Sequence, residues 1–126
     1  MELARRSYDA FQPGDVETAL DPFGEAFVME DPTRADTTEY RGREGFLKWL
    51  GEWLSMFDDW QFEVQRVLDV GSQVLVLGRD WGRGKGSGVR VEEHFGHLWT
   101  FRDGEATRML FFNDWRQALE AVGLSE

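Results

Sequence analysis

The 126-residue chain has no cysteine, which removes disulfides, a thiol nucleophile and thiolate metal sites from consideration. Its two histidines, His94 and His97, are too few for a histidine-built metal centre. Positive charge is also short: 14 Lys and Arg stand against 24 Asp and Glu, for a formal net charge of -10. That balance repels phosphate backbones and anionic lipid, so neither a nucleic acid nor a membrane is the expected partner. No apolar run approaches a bilayer span, and the N-terminus reaches Arg5-Arg6 without a signal-like stretch. A soluble, cytoplasmic protein is the expectation. What the chain does have is 10 Phe and 6 Trp in a composition 41% hydrophobic, enough for one well-filled core.

The three prolines punctuate the first third of the chain. Leu3 to Gln12 reads as a helix with Leu3, Ser7, Tyr8 and Phe11 on roughly one face, stopped by Pro13-Gly14. Asp15 caps a short second helix carrying Val16, Ala19 and Leu20, and Pro22 follows it. Ala26 to Glu30 reads as a strand, and Pro32 holds Asp31 extended behind it. Thr33 to Gly42 is polar and loop-like. Glu44 to Phe57 then has Phe46, Leu47, Leu50, Trp53, Leu54 and Phe57 at helical spacing.

The remainder is β-rich. Trp60, Phe62 and Val64 alternate with polar residues, Gln73 to Trp81 and Val89 to Phe101 flank a glycine-rich loop, and Arg102-Asp103-Gly104 turns into Glu105 to Asn113. The loop Gly82-Arg83-Gly84-Lys85-Gly86-Ser87-Gly88 lacks the Ser or Thr after lysine that a phosphate-binding loop requires, and a strand follows it, so it reads as a hairpin. Asp114 caps a last helix with Trp115, Ala118, Leu119 and Val122 inward and Gly123 at its end. Helices first and antiparallel strands after make a single α+β domain over residues 1–126. Val74 and Val76 are as apolar as Leu75 and Leu77, so the sheet needs cover on both faces. A second copy of the chain is the expected outer cover, giving a homodimer through the outer sheet face.

In order along the chain stand Gly14-Asp15, Glu30-Asp31-Pro32, Tyr40-Arg41-Gly42-Arg43-Glu44, Phe62-Glu63-Val64, Thr100-Phe101-Arg102-Asp103-Gly104 and the Asp114 helix. Together these marks resemble the SnoaL-like proteins of the nuclear transport factor two-like superfamily, whose relatives include ketosteroid isomerase and polyketide cyclases. The resemblance implies a cone-shaped α+β barrel, with N-terminal helices packed on a strongly curved, mostly antiparallel sheet around an apolar pocket. It also implies several activities or none, because this fold hosts isomerases, cyclases, epoxide hydrolases, dehydratases and binders.

Carried over residue by residue, the resemblance puts Asp31 where the isomerase has its general base. It puts His97 where the isomerase has a protonated acid and the cyclases an acid/base aspartate; an imidazole there serves as a neutral donor or as a base near neutrality. Counting back from Gly14-Asp15, the isomerase's helix-borne tyrosine falls on Ser7, with Tyr8 one residue and about 100° away. Strand parity directs Leu75, Leu77, Arg79 and Trp81 into the cone, with Glu93, Phe95, His97 and Trp99 on the next strand and Met109, Phe111 and Asn113 on the last. Tyr8, Trp53, Arg79, Trp81, Trp99, Met109, Phe111 and Asn113 are therefore the expected ligand-binding set, around Asp31 and His97 as the catalytic pair.

Each has a structural alternative. Asp31 would be a strand-end acid beside Glu30, or paired with Arg34 or Arg79. His97 would be a core histidine bonded to a neighbour, the aromatics plain core, and Arg79 a salt-bridge partner of Asp31 or Glu93. Limonene epoxide hydrolase, on the same fold, uses an Asp-Arg-Asp set, but here Trp81 rather than an acid follows two residues after Arg79. Three functions follow: cofactor-free acid/base chemistry of isomerase or cyclase type on a hydrophobic carbonyl compound, a non-catalytic binder of an apolar small molecule, or a dimeric interaction domain with a filled cone. None calls for a cofactor or a metal.

Overall fold

The computed structural model describes residues 2–12, 14–33 and 39–124. Helix α1 (Glu2–Phe11) and the single-turn α2 (Val16–Ala19) lead into strand β1 (Phe23–Glu30). The short β2 (Glu39–Arg41) precedes α3 (Gly42–Leu54); then come β3 (Phe57–Val70), β4 (Gln73–Gly84), β5 (Arg90–Arg102), β6 (Glu105–Phe112) and α4 (Trp115–Ala121). Several boundaries differ from the sequence reading: β1 begins at Phe23 rather than Ala26, α3 at Gly42 rather than Glu44, and β4 runs on to Gly84 rather than ending at Trp81. Phe57 opens β3 instead of closing α3, and residues 39–41, read as loop, form an edge strand against Val28 to Glu30.

The six strands form one curved, open sheet in the order β2-β1-β6-β5-β4-β3. All neighbours run antiparallel except β1 and β6, which are parallel. Register shifts at Asp58/Gln61, Val64/Arg66 and Thr100/Phe101 bend the long strands, as bulges do. The β5–β6 turn uses Asp103 and Gly104 at φ of 54° and 78°, the left-handed pair that a tight hairpin requires.

Alternate residues of these strands feed two separate cores. On the concave face Val74, Val76, Phe95, Trp99, Met109 and Phe111 meet Phe23, Phe27, Met29, Trp49 and Leu50, with α1 and α3 above them. On the convex face Leu75, Leu77 and Leu98 are buried against Ala118 and Leu119 of α4. Gly96 makes that second contact possible: a Cβ there would stand 2.7 Å from the Ala118 Cβ. The Asp114 side chain caps α4 by accepting from the Arg116 and Gln117 amides, and Trp115 Nε1 donates to the Gly78 carbonyl at 2.9 Å.

This arrangement corrects the strand parity expected for β4. Leu75 and Leu77 face outward to α4, while Val74 and Val76 face the cone. Arg79 and Trp81 follow the leucines to the outer side. The chain's own C-terminal helix therefore covers much of the face for which a second copy had been expected.

Candidate functional site

The concave face and the helices enclose a hollow. Space open to the centre of a water-sized sphere is about 60 Å³, and the whole atom-free space between the lining residues, mouth included, is about 650 Å³. The inner figure is room for a few waters or one small flat molecule. Tyr8 and Phe11 of α1, Phe46, Trp49 and Trp53 of α3, and Trp60 and Phe62 of β3 supply most of the wall. Phe95, His97 and Trp99 of β5 and Met109 of β6 form the floor.

Polar groups on this wall converge at one point. Trp99 Nε1 donates to the Tyr8 hydroxyl at 2.8 Å, and that hydroxyl lies 2.6 Å from His97 Nδ1. An indole nitrogen only donates, so it occupies an acceptor position of the phenol oxygen. When the phenol proton points to Nδ1, His97 is the tautomer carrying its hydrogen on Nε2. Among the described residues Nε2 makes no hydrogen bond, and His97 lines the hollow. Burial drives the His97 pKa down to about 3, only partly opposed by the negative charge of Asp31. Burial likewise pushes the Tyr8 phenol well up, outweighing the bond from Trp99. At neutral pH both groups are uncharged, and an uncharged imidazole can present an N–H donor to the hollow.

Asp31 lies one layer behind the wall. It is wholly buried at the end of β1; Trp49 Nε1 donates to its Oδ2 at 2.6 Å, the Thr33 amide to its Oδ1 at 3.0 Å, and the Thr33 hydroxyl also bonds Oδ1. Trp49 is thus both cavity wall and carboxylate anchor. Arg34, considered as its partner, lies outside the described residues.

Of the expected binding set, Tyr8, Trp53, Trp99 and Met109 line the hollow. Tyr8, offset by one residue from the position the family count favours, nevertheless reaches His97, while the Ser7 hydroxyl is used internally on the Ala19 carbonyl at 2.6 Å. Phe111 is buried behind the surface, its ring 5.5 Å from His97 and 5.8 Å from Trp49. Three more of the expected residues do not line the hollow. Arg79 is on the outer face, 2.7 Å from Glu92 and 3.5 Å from Glu63, with its guanidinium 4.5 Å over the Trp81 ring. Trp81 goes with it. Asn113 lies past the end of β6 beside a surface groove with Glu93 and Arg116.

The sequence reading missed Asp80. It occupies the inward parity that had been given to Arg79, is only 4% exposed, and faces Glu93 across β4–β5. The signal was available in outline, because an acid in register with another acid on an apolar face is costly unless something unusual holds it.

A family model for the SnoaL-like domain matches residues 4–109. The protein belongs to that SnoaL-like family. Among solved structures, TerC co-crystallised with polyporic acid is similar at 23% identity, covering 96% of this chain and 95% of that one with a TM-score of 0.77. A nuclear transport factor 2-like protein from Burkholderia pseudomallei K96243 is 17% identical over 98% and 96% of the two chains, with a TM-score of 0.79. A protein of ketosteroid isomerase-like fold from Catenulispora acidiphila DSM 44928, in complex with trimethylamine, is 18% identical over 98% and 93%, with a TM-score of 0.74. At these identities the likeness is one of fold. No curated protein matches the sequence. No helix among the described residues is long and apolar enough to cross a membrane.

Proposed function

We propose that this protein holds a small, uncharged, apolar carbonyl compound in the hollow and polarises its oxygen through the Nε2 hydrogen of His97. The observation that carries this reading is the chain Trp99 Nε1 to Tyr8 hydroxyl to His97 Nδ1, which in this reading leaves the Nε2 hydrogen for a ligand in a mostly apolar wall. A neutral donor in a dry site stabilises the oxygen of an enolate more than that of a ketone, because the charge develops there and little water competes. This is the electrostatic half of isomerase or cyclase chemistry. In this reading Asp31 completes it as the base, and because it lies behind Trp49 that indole has to move aside before Asp31 can take a proton from a ligand carbon.

Among the described residues no cation lines the hollow, which supports an uncharged ligand, and Arg79 bridges Glu63 and Glu92 outside. Two relatives, TerC with polyporic acid and the Catenulispora protein with trimethylamine, carry small organic molecules. The non-catalytic reading is favoured by one observation, the bonds that tie Asp31 to Trp49 and Thr33. For self-association, Leu68, Leu110 and Phe112 at the rim of α4 are the apolar outer surface that a homodimer would use; a dimeric mass in solution checks it.

The test uses an aromatic ketone, 2-acetylnaphthalene, as the probe. Its bound carbonyl stretch is expected at lower frequency than in hexane. His97→Phe is expected to abolish that shift and weaken binding roughly three- to tenfold, the worth of one neutral hydrogen bond. An unshifted carbonyl in the wild type, or equal binding by His97→Phe, overturns the reading.

A further inference from the structure

The acids Asp80, buried, and Glu93, half-buried, are used by none of the chemistry above. They are direct partners across β4–β5 on the concave face, one step along from the Gly78–Phe95 pair. Trp60 Nε1 donates to Asp80 Oδ2 at 3.3 Å, and Trp60 itself is cavity wall, stacked at 5.3 Å on Phe62. The two residues stand directly opposite each other on neighbouring strands, and Glu93 Oε1 is sealed from solvent with no partner among the described residues. Two carboxylates bring only acceptors to such a contact. One proton supplies the missing donor and removes the like-charge repulsion.

We propose that Asp80 and Glu93 share one proton and act as a pH-sensitive latch behind the Trp60 wall, which loosens when that proton leaves. Burial raises both carboxyls, Asp80 to about 6 and Glu93 to about 8, and the Asp80 charge adds to the rise at Glu93. The charged groups that act on Glu93 or share its groove fit a two-position device. Asp31 on the inner side adds negative charge that opposes ionisation of Glu93. Glu92, His94, Asp114 and Arg116 surround the groove on Glu93's other side, and Arg116 is the cation there. Protonated, Glu93 bonds Asp80; ionised, it turns toward Arg116 and leaves Asp80 to Trp60 alone. The site gains a mouth whose rigidity follows pH, independently of what His97 does.

The direct test is the carbon-13 NMR titration of the Asp and Glu side-chain carboxyls in the wild-type protein. Two resonances moving together near neutrality are expected; all carboxyls titrating in mildly acidic solution overturns the latch. Tryptophan emission and the rate of 2-acetylnaphthalene entry are expected to change over the same pH range, severalfold for the rate. Glu93→Gln, which keeps a donor for Asp80 and has nothing to ionise, is expected to fold and to lose both pH transitions. Unchanged transitions in Glu93→Gln, or a wild-type entry rate flat from pH 6 to 9, also overturn it. Binding of the ketone with no latch defeats only this inference, and a latch with no ketone binding defeats only the carbonyl reading.

Discussion

Strand β5 shows two solutions to one problem. Phe95, His97 and Trp99 look into the cone, while Gly96 and Leu98 look toward α4. Beneath α4 the outer side is tightly closed, with Leu75, Leu77, Ala118 and Leu119 each no more than 1% exposed and Gly96 admitting the helix. The inner side is lined by large rings that cannot fill the space they surround, and the polar atoms it buries are held in pairs and chains. Close packing on one face lets the sheet carry an under-packed face on the other. Stability therefore concentrates outside and chemistry inside.

Truncating an outer residue should hit stability hardest and leave the hollow's selectivity alone. Leu77→Ala removes a fully buried side chain from between Gly96 and α4, and about 3 kcal/mol of unfolding free energy should be lost, measured by urea denaturation. If ketone affinity fell in proportion, the two faces would not be separable. The inner face should instead declare itself through pH. The folded His97 pKa is depressed to about 3 against an ordinary value near 6.5, so below pH 6.5 the unfolded chain takes up a proton that the native one refuses. Stability falls as pH drops through that window, by about 2 kcal/mol at pH 5, at roughly 1.4 kcal/mol for each pH unit. His97→Gln should flatten this part of the profile. Glu93 works in the opposite direction: its raised folded pKa costs stability as pH rises from the ordinary carboxylate range to about 8.

Smaller again is the effect of taking the shared hydroxyl away. Tyr8→Phe leaves Trp99 Nε1 without its acceptor and His97 Nδ1 without its donor, costing about 1.5 kcal/mol of stability. The sharper readout is the tautomer: nitrogen-15 shifts of His97 should show Nε2–H dominant in the wild type and a mixture in Tyr8→Phe. A wild-type mixture would break the argument that Trp99 sets the donor.

The helices, hairpins and fold were legible because their signals are local: the Asp114 cap, the Asp103-Gly104 turn, and the helical spacing from Phe46 to Leu54. The β5 floor was legible too, since Glu92 and His94 alternate with Phe95 and His97 clearly enough to fix a parity. For β4 the sequence carries no such contrast: Val74-Leu75-Val76-Leu77 is apolar at every position, so parity rests on which neighbour each residue meets. Only the cross-strand pairing of Val76 with His97 decides it, and that is a long-range fact. The one-residue error moved Arg79 and Trp81 in and Asp80 out. Tyr8 was legible as a residue but not as a partner of His97, because the tilt of α1 over the sheet is set by tertiary packing.

Arg79 gives the gentlest test of the boundary between the faces. Its guanidinium is partly exposed, bridges Glu63 and Glu92, and lies over Trp81, and Glu92 beside it raises its pKa. Exposed ion pairs of this kind contribute little, because water screens them and ordering the side chains offsets the attraction. Arg79→Met should change stability by about 0.5 kcal/mol or less, with ketone affinity and the bound carbonyl frequency unaltered. A tenfold loss of affinity would mean that the charge reaches through the sheet to the ligand, and the separation of a stabilising outer face from a working inner face would fail at its weakest point.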